Sequence, residues 1–341
     1  MPQIRHLRHC GRGVDLEIHN LPYLEAAKVS SHLSMIASSR RLNLTDGRAI
    51  NAHLILSPDA MSRILRLLRT IARSHVTVLS ASATASTLAT AIEDNVCAYA
   101  AAFGRTPHAE MCDQSYVLWV ITRIPTLPFT GILRPYPANG QIAPTVNAIM
   151  RSFQQRNARP SWIFNPTRVA PDIAHHLAQY QLRQTADIPA MAINLEAIHV
   201  VHPPHRMQIA PVTDTAALAA WAHVYTLSNG APDWIQQELY TLFAALTPWT
   251  NDQLQLYLAY QDDQPVATAA TFRAAGVVGL YEVATLPEVR RRGIGTAVTQ
   301  HTLVAARQDG VDVATLLSSP MAVQLYHQLG FQEYCRLQIY N

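Results

Sequence analysis

An α/β protein of the α+β kind is predicted from three observations. The apolar run 277–286 passes directly into Arg290-Arg291-Arg292-Gly293-Ile294-Gly295-Thr296 and then into a helix-like stretch. Helix and strand patterns keep alternating from there to the end of the chain. Upstream, from residue 207, two helical segments and short strands with tight polar connections complete the set.

Taken in order, 207–212 reads as a strand, and Asp214 stands where it can cap a helix over 216–227. Ser228-Asn229-Gly230 breaks that helix, and Pro232-Asp233 opens a second one reaching about residue 246. Strands 255–260 and 265–274 are joined across Gln261-Asp262-Asp263-Gln264, and Gly276 turns the chain into strand 277–285. Helix 296–307 has Ala297, Val298, Leu303, Val304 and Ala306 for its buried side, and Asp309-Gly310 stops it. Strand 311–317 and helix 321–329 follow, the latter closed by Gly330 at the left-handed position. A last strand, 331–340, offers Tyr334, Leu337 and Ile339 for packing.

The turn carries the chemistry. R-x-x-G-x-G between a strand and a helix lets the backbone approach phosphates closely, with free N–H groups and the helix dipole aimed at the anion. It is neither G-x-x-x-x-G-K-[ST] nor a three-glycine dinucleotide fingerprint. The same turn could also be an ordinary helix start. A second block, Ala322-Val323-Gln324-Leu325-Tyr326-His327-Gln328-Leu329-Gly330-Phe331, matches A-x-x-L-Y-x-x-x-G-F.

With both blocks in this order, the chain resembles the GNAT family of acyl-CoA-dependent N-acyltransferases over 207–341. The resemblance implies a mixed, mostly antiparallel sheet flanked by helices, and acetyl-CoA or another acyl-CoA as cosubstrate. Arg290, Arg291, Arg292, Gly293, Ile294, Gly295 and Thr296 would hold the pyrophosphate, and Val283, Ala284 and Thr285 the pantetheine arm. Ser319 stands where the family often has Asn and would supply a polar contact. An N–H of the strand would face the thioester carbonyl. Tyr326 would be the general acid for the departing thiolate, and Glu282 the base toward the amine. Inside an apolar strand the Glu282 carboxyl should have a raised pKa, or it faces solvent or pairs with Arg273. Ser228, Asn229, Asp233 and Trp234 mark the acceptor side at the helix junction. Trp221 and Tyr225, one helical turn apart, suit a core.

Residues 82–198 read as a weaker copy. His176-Leu177-Ala178-Gln179-Tyr180-Gln181-Leu182 falls on the second block, with Leu177 at the tyrosine and Gln181 at the glycine. No R-x-x-G-x-G precedes it, and Ala158-Arg159-Pro160-Ser161 cannot form that turn. The resemblance therefore implies two GNAT-like domains, a degenerate one at 82–198 and a catalytic one at 207–341. The joint 199–206 contains His199, His202 and His205, but its prolines prevent a helix from aligning them, and no metal site is expected. Residues 1–81 form an extension read as partly helical. Ser57-Pro58-Asp59 starts a helix over 61–73 with Arg63, Arg66, Arg69 and Arg73 on one face.

Composition agrees with a folded enzyme. With 341 residues, 49% hydrophobic and 14% charged, the chain can fill a large core. A net charge of +3 and the absence of a basic run argue against nucleic acid. Cys10, Cys97, Cys112 and Cys335 form no C-x-x-C pair, which favours reduced thiols. The start has no signal-like apolar region, and no stretch is long enough to span a bilayer, so a cytoplasmic protein without a membrane partner is expected. The function expected is transfer of an acetyl or longer acyl group to a primary amine of a small molecule or peptide. A non-catalytic CoA-binding regulator or scaffold is the alternative.

Overall fold

The computed structural model describes the backbone of four strands within the first 78 residues. Beyond these it describes residues 79–341, apart from 81–82, 139, 170, 199–203, 205 and 247–250. The chain divides into two units, Met1–Thr77 and Val78–Asn341. In the first, β1 (Gln3–Cys10), β2 (Gly13–His19), β3 (Ser38–Thr45) and β4 (Ala49–Ile55) form an antiparallel sheet in the order β1-β2-β4-β3. Arg5, His6, Arg8 and His9 interrupt the apolar alternation of β1, so its sequence carries no clean strand signal. The helix read at 61–73 and most of the joint 199–206 lie outside the described residues.

The second unit opens with α1 (Ala85–Gly104), capped by the Thr84 hydroxyl, which accepts from the Thr87 amide. There follow β5 (Glu110–Gln114), β6 (Val117–Ile121), β7 (Gly131–Leu133), α2 (Ile142–Gln155), β8 (Trp162–Phe164), α3 (Ile173–Ala178) and β9 (Gln184–Asn194). Then come β10 (Met207–Pro211), α4 (Thr215–Ser228) and α5 (Asp233–Ala245). The chain continues with β11 (Leu254–Gln261), β12 (Gln264–Ala274), β13 (Val277–Thr285), α6 (Ile294–Gln308), β14 (Val313–Leu317), α7 (Val323–Leu329) and β15 (Gln332–Tyr340). The local rules hold: Asp214 accepts from the Ala217 amide at the start of α4. Asp262 and Asp263, at φ 50° and 62°, make the tight β11–β12 turn, whose twist matches the strands it joins.

All eleven strands of this unit form one sheet, in the order β10-β11-β12-β13-β14-β9-β15-β8-β7-β6-β5. The run β5-β6-β7-α2-β8-α3-β9 is repeated as β11-β12-β13-α6-β14-α7-β15. In both copies the third and fourth strands are parallel, at Ile132↔Trp162 and at Val278↔Ala314. The last strands are exchanged. β9 pairs with β14 through Leu317↔Ala190, β15 pairs with β8 through Ile339↔Ile163, and β9 and β15 pair with each other. The segments 82–198 and 207–341 are thus halves of one sheet. Each half's final strand completes the other half.

Residues of β9 alternate between the two faces, as a strand requires. Met191 and Ile193 pack with Ile294, Val298 and Tyr326 of α6 and α7. Ala190 and Ala192 pack with Ile92, Val96 and Ala100 of α1. Helices α6 and α7 therefore cover one face, and α1 covers the other. Among the described residues no helix is long and apolar enough to cross a membrane.

Candidate active site

The glycine turn forms as its sequence demands. Gly293, at φ 79°, is the residue before α6, in the left-handed region that favours glycine. The amides of Ile294, Gly295 and Thr296 belong to the first helical turn and have no partner four residues back, and the first return bond runs from Ala297 to the Gly293 carbonyl. A Cβ built on Gly295 would meet only Thr285 Oγ1 at 3.6 Å and Leu325 Cδ1 at 3.8 Å. The protein itself leaves that space open.

The three arginines of the turn differ in what they hold. Arg290 Nε donates to the Thr285 carbonyl at 2.9 Å, and its Nη2 donates to the Ser228 carbonyl. It ties the end of α4 to the end of β13. Arg292 Nη2 donates to the Glu288 carbonyl at 3.1 Å, whereas the Arg291 side chain is exposed.

Strand β13 pairs with β14 only at Val278 and Gly279. From Leu280 to Thr285, the stretch that includes Val283 and Ala284, it keeps β12 on one side and parts from β14 on the other. A bulge interrupts the β12 pairing here, and Glu282 sits in it at φ 51°, a conformation that costs a non-glycine residue about 1–3 kcal/mol. The Thr268 hydroxyl holds the Glu282 carbonyl at 2.8 Å.

Where the strands part, a cavity of 330 Å³ opens, lined by Tyr225, Asn229, Glu282, Val283, Ser319, Ala322 and Tyr326 together with apolar residues of the first half. The Tyr99 hydroxyl donates to Glu282 Oε1 at 3.1 Å, and Tyr225 adds a second hydrogen bond. Burial raises the Glu282 carboxyl above the ordinary carboxylate range, while the two tyrosine hydrogen bonds oppose the shift. Arg273 pairs with Asp309, so it is not the partner of Glu282. Tyr326, buried on α7, has its phenol pushed up to about 12 by desolvation, and its ring meets Phe331 edge-on at 5.6 Å.

Of the four residues marked for the acceptor, only Asn229 lines the cavity. Ser228 is buried, with its carbonyl taken by Arg290. Asp233 and Trp234 are exposed at the start of α5 and do not line the cavity.

The corresponding turn in the first half lies before α2. The segment 158–161, read as unable to form such a turn, instead precedes β8. Ile142 starts α2 as Ile294 starts α6, and both are buried. Gln141, at φ −102°, stands where Gly293 is left-handed, although Gly140 just before it has φ 78°. Pro144 removes one N–H from the first turn. The helix cap after α3 keeps the left-handed backbone at Gln181, φ 62°, matching Gly330 at φ 100°.

Residues 252–333 match the family model described as the acetyltransferase (GNAT) domain. The chain carries a GNAT domain. The matched stretch runs from just before β11 into β15 and includes both the glycine turn and Tyr326. In fold, the chain is similar to a GCN5-related N-acetyltransferase from Kribbella flavida, with TM-score 0.55 and 18% identity over 72% of this chain and 94% of that one. A functionally unknown conserved protein from Staphylococcus epidermidis gives TM-score 0.53 at 12% identity, covering 67% of this chain and 91% of that one. A GCN5-related N-acetyltransferase from Sphaerobacter thermophilus gives 0.50 at 18% identity, covering 68% and 75%. These likenesses extend well beyond the GNAT domain match into the first half of the sheet. No curated protein matches the chain in sequence.

Sequence reasoning missed Tyr99, which reaches Glu282 from α1, far away in sequence. Its ring stacks on Tyr281 with centroids 3.9 Å apart. The Tyr281 hydroxyl in turn donates to Asn95 Oδ1 at 2.6 Å, one helical turn before Tyr99. Tyr225, read as core, stacks on the buried Trp221 and presents its hydroxyl to the carboxylate.

Proposed function

We propose that the protein transfers an acyl group from acetyl-CoA or another acyl-CoA to a primary amine by direct attack. The observation that carries this reading is the cavity at the parting of β13 and β14, where Glu282 and Tyr326 face the same space. The open volume at Gly295 and the free amides of α6 suit a pyrophosphate. Bound there, the thioester supplies the activated acyl group.

The residues of the chain then divide the proton work. Glu282, ionised, takes a proton from the attacking amine, directly or through water. Tyr99 and Tyr225 hold that carboxylate in place and stabilise its charge. Tyr326 gives its proton to the departing sulfur, because burial keeps the phenol protonated across the working pH range. Backbone groups of Val283 and Ala284 that have no β14 partner can align the donor's amide-bearing arm. The deciding experiment is turnover of acetyl-CoA with a panel of primary amines, read as free thiol. Coenzyme A binding without turnover on any amine would favour a regulator or scaffold.

The Gly295→Val variant is expected to bind coenzyme A at least about tenfold more weakly by calorimetry, a loss of about 1.4 kcal/mol or more. Its melting temperature should stay close to that of the parent, because a Cβ at this position meets protein atoms only at ordinary contact distances. Gly293→Val should also lower stability by about 1–2 kcal/mol, since φ 79° is unfavourable for a side-chain-bearing residue. Unchanged coenzyme A affinity in both would exclude the turn as the phosphate site.

The pH profile tests the base. Activity requires ionised Glu282, so kcat/KM should fall as pH drops through its raised pKa. Tyr99→Phe removes a donor that stabilises the charged form, and the acidic limb should move to higher pH. The comparison of the two profiles matters, because ionisation of the acceptor is common to both. A limb that does not move would take Glu282 out of the base role.

A further inference from the structure

The cavity has a polar end and a hydrocarbon end. Its polar side chains, among them Glu282, Asn229, Ser319 and Tyr326, all come from the second half of the sheet. Among the described residues the first half contributes only hydrocarbon, including Val96, Leu133, Ile163 and Ile188. The strand register puts this hydrocarbon on one face: Ile339 pairs with Ile163, and Ile163 with Leu133. Ile188 pairs with Leu337, two residues before Ile339 and so on the same face. The resulting floor crosses β9, β15, β8 and β7, a distance of about 14 Å at the usual strand spacing. Val96 of α1 covers it, one helical turn before Tyr99, whose hydroxyl holds Glu282. One helix face therefore joins the carboxylate to the hydrocarbon trough.

We propose that the acyl acceptor is a primary amine carried on an uncharged hydrocarbon frame, its nitrogen at Glu282 and its body in this trough. The assignment rests on the acyl-transfer reading above and narrows it. Among the described residues Glu282 is the one carboxylate lining the cavity, so it can compensate one ammonium. A second cationic group would lie among aliphatic side chains with no partner, which is prohibitive. Hydroxyl-rich frames would lose their water hydrogen bonds there without replacement. The occupant is the acceptor rather than the donor's acyl chain because the two approach from opposite faces. The phosphate turn belongs to α6, which packs on the Met191 and Ile193 face of β9, whereas the trough lies on the Ala190 face under α1.

The test is calorimetric binding of propyl-, hexyl- and octylamine, and of spermidine, to the full chain saturated with coenzyme A. Acetyl transfer to the same amines is measured in parallel. Affinity should rise about fourfold per added methylene until the trough is filled, with spermidine no better than propylamine. Ile188→Trp, and separately Val96→Phe from the opposite wall, should lower the octylamine-to-propylamine affinity ratio at least tenfold, with folding checked by thermal melts. A flat series, tighter binding of spermidine, or an unchanged ratio in both variants would overturn the proposal. So would a chain-length gain found instead with butyryl- and octanoyl-CoA and abolished by Ile188→Trp. If the amines bind with the expected series but none is acetylated, the acyl-transfer reading fails and the trough assignment stands.

Discussion

Residues 207–341 expressed alone are expected to give no cooperative thermal transition and to aggregate. The stretch contains a full run of strands and helices and looks self-sufficient in sequence. In the sheet, however, β9 lies between β14 and β15 and pairs with both. Cutting the chain at the joint removes that strand and leaves two unpaired edges facing each other across an apolar gap, a template for association with other chains. Hydrocarbon of α1 that covers β12 and β13, including Tyr99, is removed as well. A split version, 1–198 co-expressed with 207–341, should recover a folded complex, because the exchange of last strands needs both segments but no covalent joint. A cooperative melt of isolated 207–341, with a native-like circular dichroism spectrum, would show that another strand fills the place of β9.

Tyr326→Phe is expected to lower kcat by about 10²–10⁴-fold while leaving donor affinity nearly unchanged, because the proton it delivers is needed mainly in the transition state. The substitution keeps the ring, and with it the edge-on contact to Phe331, so stability should change little. With the phenol at about 12, the parent enzyme should show no alkaline limb from this group at pH 7–10. Steady-state kinetics with acetyl-CoA and a competent amine, beside calorimetry with coenzyme A, check both halves of the expectation. A variant with parental kcat would mean that the thiolate leaves unaided or takes its proton from another group.

Much of this was legible in the chain itself. Short-range rules located the strands and helices of 207–341 to within a few residues, because caps, turn residues and apolar periodicity act over one or two helical turns. The left-handed conformation expected at Gly330 is present, at φ 100°. Glu282 and Tyr326 could be singled out by position in the strand and by the second block.

What the sequence alone determined is the set of elements over 207–341 and the glycine turn, since neighbouring residues encode them. Only the tertiary structure decided that two similar halves share one sheet and exchange their last strands, because strand pairing between segments far apart leaves no local periodicity to read. The same holds for the site. Tyr99 donates to Glu282 from a helix of the first half, Arg290 ties two carbonyls together, and Trp234 faces solvent. Each depends on which surfaces meet when the halves close on each other, and that is set by packing over long sequence separations rather than by any nearby residue.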